Sequence, residues 1–214
     1  LEESGRKGNA SLVPYLLLAT IFADPTGVQP TLFQILTSYS DHASPLYTMR
    51  PLNYIKCYEF LKDTASIRHE FHVAENRAFE YFNMTLLKSL SSDYMENITN
   101  LTQRVLNETN VLLYTGQLDA LFPSVNQRKY YATLKWKNSA EYHNAPRNLW
   151  HPPTWEPHMG HAGYVKKVPG FTEAVLFGMS HYGAAEKPDE VYYLMIEFIN
   201  NTKTGNDEQK VRLK

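Results

Sequence analysis

Two short apolar runs limit what this chain can become. Val111-Leu112-Leu113-Tyr114 leads through Gly116 to Asp119, and Glu173 to Phe177 leads through Gly178, Met179 and Ser180 to His181. A short apolar run closed by glycine reads as a strand, and Val111 to Tyr114 reads as one buried on both faces. Each run therefore delivers one acid–base side chain just past a strand end. A histidine needs a buried carboxylate to fix its tautomer if it is to take a proton from a serine hydroxyl. An aspartate followed by a histidine supplies that pair. The nucleophile is missing, because no Gly-x-Ser-x-Gly occurs anywhere in the 214 residues.

The rest of the chain arranges itself around these runs. Residues 1–10 are polar and read as a flexible start. Residues 11–24 read as a helix ended by Asp24-Pro25-Thr26-Gly27, and 28–54 show no clear period. Ile55 to Leu61 suits a short helix, 64–74 a helix followed by extended chain, and 76–90 a helix. Phe71 and Val73 read as core residues. Met95, Ile98, Leu101 and Val105 recur at helical spacing and predict an amphipathic helix. Ser124 with Gln127 predicts a capping box opening a helix to about Leu134. Residues 136–160, with three tryptophans and four prolines, read as a long loop. Ala162–Val168 and Glu173–Phe177 form a predicted hairpin across Pro169-Gly170. Glu186-Lys187-Pro188-Asp189-Glu190 opens a helix with Val191, Leu194, Met195 and Phe198 on one face. Residues 201–214 read as a disordered polar tail. The division is thus 1–10, a mostly helical region 11–108, an α/β region 109–200 resembling the close of a parallel sheet, and the tail 201–214.

Charge and sequons bear on the compartment and partners. A net charge of −1 with no basic run argues against nucleic acid. Leu12 to Phe22 is apolar but too short to span a bilayer, so no membrane span is expected. Asn-x-Ser/Thr occurs at Asn9, Asn83, Asn97, Asn100, Asn107 and Asn200, where chance would place about two such motifs. The excess points to glycosylation and the secretory pathway. Cys57 stands alone, so it is either a buried thiol or half of a disulfide to another chain.

Several stretches then carry a resemblance. Val111–Pro123 (VLLYTGQLDALFP), Ala162 onward (AGYVKK) and Gly178–Pro188 (GMSHYGAAEKP) resemble the C-terminal half of the serine carboxypeptidases, and most of all the vitellogenic carboxypeptidase-like animal enzymes. Asn53 to Cys57 and Ile67 to Val73 fit the same comparison, which covers roughly residues 15–200. The resemblance implies the C-terminal part of an α/β-hydrolase fold, with a helical cap or insertion region at 11–108 and an N-terminal half outside this sequence. It implies Asp119 as triad acid, His181 as general base and Tyr182 in the substrate pocket. It further implies hydrolysis of C-terminal peptide bonds, and a serine carried by an N-terminal chain of the same precursor, with Cys57 bridging the two. Peptides are the expected substrates, the expected location is lysosomal or extracellular, and a homodimer is compatible with the sequence.

The departures from the family matter. After its histidine the family usually has Met-Val-Pro, whereas Tyr182-Gly183-Ala184 follow here. The approach is Gly-Met-Ser-His where Gly-Ala-Gly-His is expected. These changes motivate the alternative of a catalytically silent homologue acting in binding or storage. Ser180 adjoins His181, too near in sequence to align its hydroxyl with the ring, and no elbow surrounds it. His143, His151, His158 and His161 crowd one loop without a metal-ligand frame, and His69-Glu70-Phe71-His72 is one residue short of a zinc helix. No metal and no cofactor is expected.

Overall fold

The computed structural model describes residues 30–39, 65–73, 83–93 and 96–212. The expected helices at 11–24 and 55–61, most of 28–54, Asn9 and Cys57 lie outside the described residues. The chain divides into two compact units, Leu1–His42 with Leu46–Glu96, and Ala43–Pro45 with Asn97–Lys214.

In the first unit, α1 (Leu32–Thr37) starts on Thr31. The Thr31 hydroxyl accepts from the Gln34 amide, and the Gln34 side chain accepts from the Thr31 amide. This reciprocal cap satisfies donors that a helix start leaves open, and it places order in a stretch read as irregular. α2 (Ala65–Glu70) buries Ile67 and ends in a turn where His72 takes φ 54°. Phe71 and Val73, expected in a core, are 62% and 46% exposed because the left-handed residue between them breaks the strand-like alternation. α3 (Met84–Ser89) is capped by Asn83, whose side-chain oxygen accepts from the Leu86 amide at 2.8 Å.

The second unit holds a four-stranded sheet in the order β1-β4-β3-β2. The strands are β1 (Val111–Gly116), β2 (Asn148–Trp150), β3 (Gly163–Val168) and β4 (Phe171–Leu176). β1 runs parallel to β4, with Val111 opposite Phe171 and Gly116 opposite Leu176. β3 is antiparallel to both of its neighbours. The sheet is therefore mixed: the expected hairpin forms between β3 and β4, and the parallel character is confined to the β1–β4 pair. The connection explains this: two residues between β3 and β4 force the chain to turn back. Gly170 takes φ 79°, the positive value required after proline in such a turn. Pairing accordingly begins at Phe171 and not at Glu173. β1 is half-buried along most of its length, since it has a neighbour on one side only among the described residues.

Helices cover both faces, as an α/β sheet requires. On one face Ala174 and Leu176 pack with Trp150, Val165, Met179 and with Val191 and Leu194 of α7 (Pro188–Arg212). On the other, Phe171 meets Leu106 of α4 (Thr99–Glu108), Tyr131 of α5 (Ser124–Thr133) and Tyr142 of α6 (Ser139–Asn144). The Phe171 ring lies 5.3 to 5.8 Å from those of Tyr142, Tyr131 and Trp136.

Several expectations need correction. Ile98, Leu101 and Val105 are exposed, and α4 docks instead through Leu106 and polar groups. The Gln103 side chain accepts from the Lys135 amide, and that of Asn107 from the Lys137 amide at 2.9 Å. α5 is capped by Pro123, so Ser124 lies inside the helix and the capping box does not form; the Gln127 amide group donates to the Phe122 carbonyl. The 136–160 loop contains α6, β2 and a short 3-10 turn at Pro157–Met159. On α7, Val191 and Leu194 are buried and Phe198 is half-buried, but Met195 is 40% exposed. α7 runs on to Arg212 through the stretch read as a disordered tail. Extending an existing helix adds a hydrogen bond per residue without a new nucleation cost.

One buried charge sits on the aromatic face. Glu173 accepts a short hydrogen bond from the Tyr142 hydroxyl. Arg128 Nε lies 3.1 Å from its other oxygen, as an ion pair not aligned for a hydrogen bond. Burial, then the Glu173 contact, pushes the Tyr142 hydroxyl pKa far up, and burial, then the Glu173 charge, pushes Tyr131 up to about 12. Tyr142→Phe should cost about 1–3 kcal/mol in urea denaturation, since it takes a donor from a buried carboxylate. The unfolded chain sheds tyrosine protons near pH 10 while the folded one resists. Stability is thus full below about pH 10 and should fall as pH rises toward 12, measurable by denaturation at about pH 8 and 11.

Candidate active site

The two loops that leave the parallel pair are stitched to each other. The Gln117 amide donates to Leu176 O and the Leu118 amide to Met179 O, both at 2.9 Å. The Gly178 amide donates to the Gln117 side chain at 3.2 Å. Gly116 sits where they meet. A Cβ there would lie 2.2 Å from Met179 O and 2.6 Å from Ser180 O, a clash with backbone that cannot swing aside. Glycine is needed here for close approach.

Asp119 closes the turn after β1. Its Oδ1 accepts from the amides of Leu121 and Phe122 at 2.9 and 2.8 Å, which fixes the carboxylate's rotation. Its Oδ2 lies 3.1 Å from His181 Nδ1. The Asp119 side chain is 7% exposed and that of His181 31%. The pair is thus a buried carboxylate beneath a ring that reaches solvent. The Phe122 ring, itself 57% exposed, tilts against the imidazole at 5.4 Å between centroids. With Nδ1–H donating to Asp119, a neutral His181 leaves Nε2 bare and able to accept a proton.

Ser180 is 1% exposed, and its hydroxyl donates to the Glu186 carboxylate, so its proton is engaged there and is not presented to the His181 ring. Tyr182 is half-buried and leads into a 3-10 turn at Gly183–Ala185, in which Gly183 takes φ 57°. Among the sequon residues, Asn83, Asn97, Asn100, Asn107 and Asn200 are all exposed. The His151 and His161 rings lie 5.9 Å apart, yet the described residues contain no group of three or more His, Cys, Asp or Glu able to hold a metal ion.

Two contributors escaped the sequence reading. They are Glu186, just ahead of α7, and Phe122, in the loop between β1 and α5. The signal for Phe122 is its place three residues past the acid, where a turn folds its amide and ring back. The signal for Glu186 is a carboxylate placed across a glycine-bearing turn from Ser180.

Known proteins share these segments. The family model for serine carboxypeptidase matches residues 16–201. Venom serine carboxypeptidase of Apis mellifera is 27% identical over 175 residues, 81% of this chain and 36% of that protein. "Probable serine carboxypeptidase CPVL" of Dictyostelium discoideum is 27% identical over 184 residues, 85% of this chain and 35% of that protein. The crystal structure of a prohormone-processing carboxypeptidase from Saccharomyces cerevisiae superposes with a TM-score of 0.49 at 15% identity, covering 70% of this chain and 31% of the other. The chain spans about a third of the length of the curated relatives it matches.

Gly116→Ala should lower the melting temperature, with a cost of about 1–3 kcal/mol for overpacking. It should also separate the Asp119 and His181 side chains, visible as a changed His181 imidazole signal in NMR.

Proposed function

The chain belongs to the serine carboxypeptidase family, and from that premise we propose that Asp119 and His181 are the acid and base of a Ser-His-Asp triad that hydrolyses C-terminal peptide bonds. The 3.1 Å contact between His181 Nδ1 and Asp119 Oδ2 carries the reading. Among the described residues it is the contact in which a partly exposed imidazole is held by a buried carboxylate, past the ends of two paired strands.

In this reading Nε2 of His181 takes the proton from a serine hydroxyl as its oxygen attacks the scissile carbonyl. The same nitrogen returns that proton to the departing amino group. Water then attacks the acyl-enzyme, losing a proton to Nε2, which passes it to the serine oxygen as the ester bond breaks and the acid leaves. Asp119 stabilises the imidazolium at each stage and stays ionised throughout. Phe122 packs at a tilt against the ring. Tyr182, next to the base, belongs to the pocket for the leaving residue and narrows it relative to the family's usual methionine.

The serine would come from an N-terminal chain of the same precursor, since Ser180 is committed to Glu186 and no Gly-x-Ser-x-Gly occurs here. Cys57 would bridge to that chain. The exposed sequons and the absence, among the described residues, of a helix long and apolar enough to cross a membrane fit a glycosylated lysosomal or secreted enzyme.

A tagged fluorophosphonate should label a serine in the folded natural protein, on sequence outside these 214 residues. His181→Ala should abolish that labelling, and Asp119→Asn should lower kcat for a peptide with a free C-terminus by roughly 10⁴-fold. A folded protein that takes no label on any chain would establish the silent homologue instead.

A further inference from the structure

The loop that carries His181 lacks the family's stiffening proline, yet it is tied down by a side chain. Both oxygens of the Glu186 carboxylate reach back across the turn. One accepts from the Ser180 amide at 2.5 Å, and the other accepts a short hydrogen bond from the Ser180 hydroxyl. The backbone between them closes on itself as well. The Ala185 amide donates to Tyr182 O, and the Glu186 and Lys187 amides both donate to Gly183 O, all at 3.1 Å. Ser180 is the residue immediately before His181 and is 1% exposed. On its other side Met179, also 1% exposed, has its carbonyl held by the Leu118 amide, in the turn that presents Asp119.

We infer that Glu186 is a positioning residue for His181, a carboxylate latch on the loop that carries it. The inference rests on the proposed role of His181. The peptide entering His181 is anchored twice, upstream to the aspartate's turn and downstream to Glu186. Removing the downstream anchor leaves the upstream one, the contacts of the ring with Asp119 and Phe122, and a long 3.5 Å bond from the Gly183 amide to Ser180 O. A charge-assisted pair of bonds to one residue sets both the position and the orientation of that peptide. Misplacement of a catalytic group by an ångström is enough to be read in the rate.

The chemistry of the latch separates position from charge. Glutamine at 186 can keep both bonds. Its carbonyl accepts from the Ser180 amide, and its amide group donates to a Ser180 hydroxyl that turns from donor to acceptor. Alanine at 186 keeps neither. Ser180→Ala removes the hydroxyl bond and leaves the amide bond, with almost no change in a small buried side chain.

The test uses the complete natural protein, with two readouts. Fluorophosphonate labelling and peptide hydrolysis report the assembled enzyme. The ¹⁵N signals of His181 report its tautomer whether or not the protein is an enzyme. Glu186→Ala should lower kcat/KM and the labelling rate roughly 10- to 100-fold, chiefly through kcat. It should also reduce the preference for the proton at Nδ1. Glu186→Gln should recover most of both losses, and Ser180→Ala should fall between. Far-UV circular dichroism identifies any variant that fails to fold, and Ser180→Ala then carries the test. A native His181 tautomer in folded Glu186→Ala, or in folded Ser180→Ala when the former does not fold, would overturn the latch. If the unaltered protein takes no label, the carboxypeptidase reading falls, and the tautomer measurements still decide the latch.

Discussion

Backbone touches backbone at Gly116, and most of the site follows from that contact. β1 and β4 run parallel and in register, so Gly116 and Leu176 end flush at one edge of the sheet. Two loops leave from neighbouring strand ends, and the missing side chain lets the second lie directly on the first. Leu118 can then donate to Met179, and the residues one and two steps beyond those anchors are Asp119 and His181. A larger residue at 116 would push the loops apart by more than a hydrogen bond can stretch.

The two faces of the sheet do different work. The face under α7 is apolar, and it takes in Met179, the residue two before His181. The histidine loop is therefore rooted in a core and does not float above it. The opposite face is aromatic and surrounds a charge, Glu173, which accepts a hydrogen bond from Tyr142 and pairs with the charge of Arg128. Such a buried network costs desolvation and returns orientation, here the orientation of α5 and α6 on the sheet. α7 is also tied to the sheet by polar contacts. Glu197 accepts from the Trp150 indole at 2.7 Å and pairs with Lys167. Burial raises the Glu197 pKa, but the hydrogen bonds from Lys167 and Trp150 outweigh it and hold the carboxyl below its ordinary range.

The strands and the loop ends were legible in the sequence because short apolar runs and glycines have few structural meanings. Val111 to Gly116, the Pro169-Gly170 turn and the start of α7 at Pro188 are all of this kind. Buried helix faces were harder to read. Periodicity finds a stripe but does not say what it faces: Ile98, Leu101 and Val105 are exposed, while Leu106 beside them is 1% exposed. What docks α4 is a set of side-chain amides reaching for backbone donors, and no pattern in the sequence announces that. The hairpin across Pro169-Gly170 makes β3 and β4 antiparallel, as its turn residues indicate, so the likeness to the close of a parallel sheet holds for the β1–β4 pair alone. Within the site, the acid and the base stood out by residue type and place. Glu186 did not, because a glutamate ahead of a proline has a ready explanation as a helix start.

β1 has one further consequence. Within the described residues its second edge is not hydrogen-bonded to another strand, although its side chains are half-buried and apolar. A flat, apolar row of amides and carbonyls is a template for whatever extended chain reaches it first. During synthesis the proper strand, if it belongs to an earlier stretch of the parent protein, has to be waiting when Val111 to Gly116 emerge. Left uncovered, that edge is a place where copies of the chain would pair with each other. Order of appearance, as much as affinity, would then decide whether the molecule assembles.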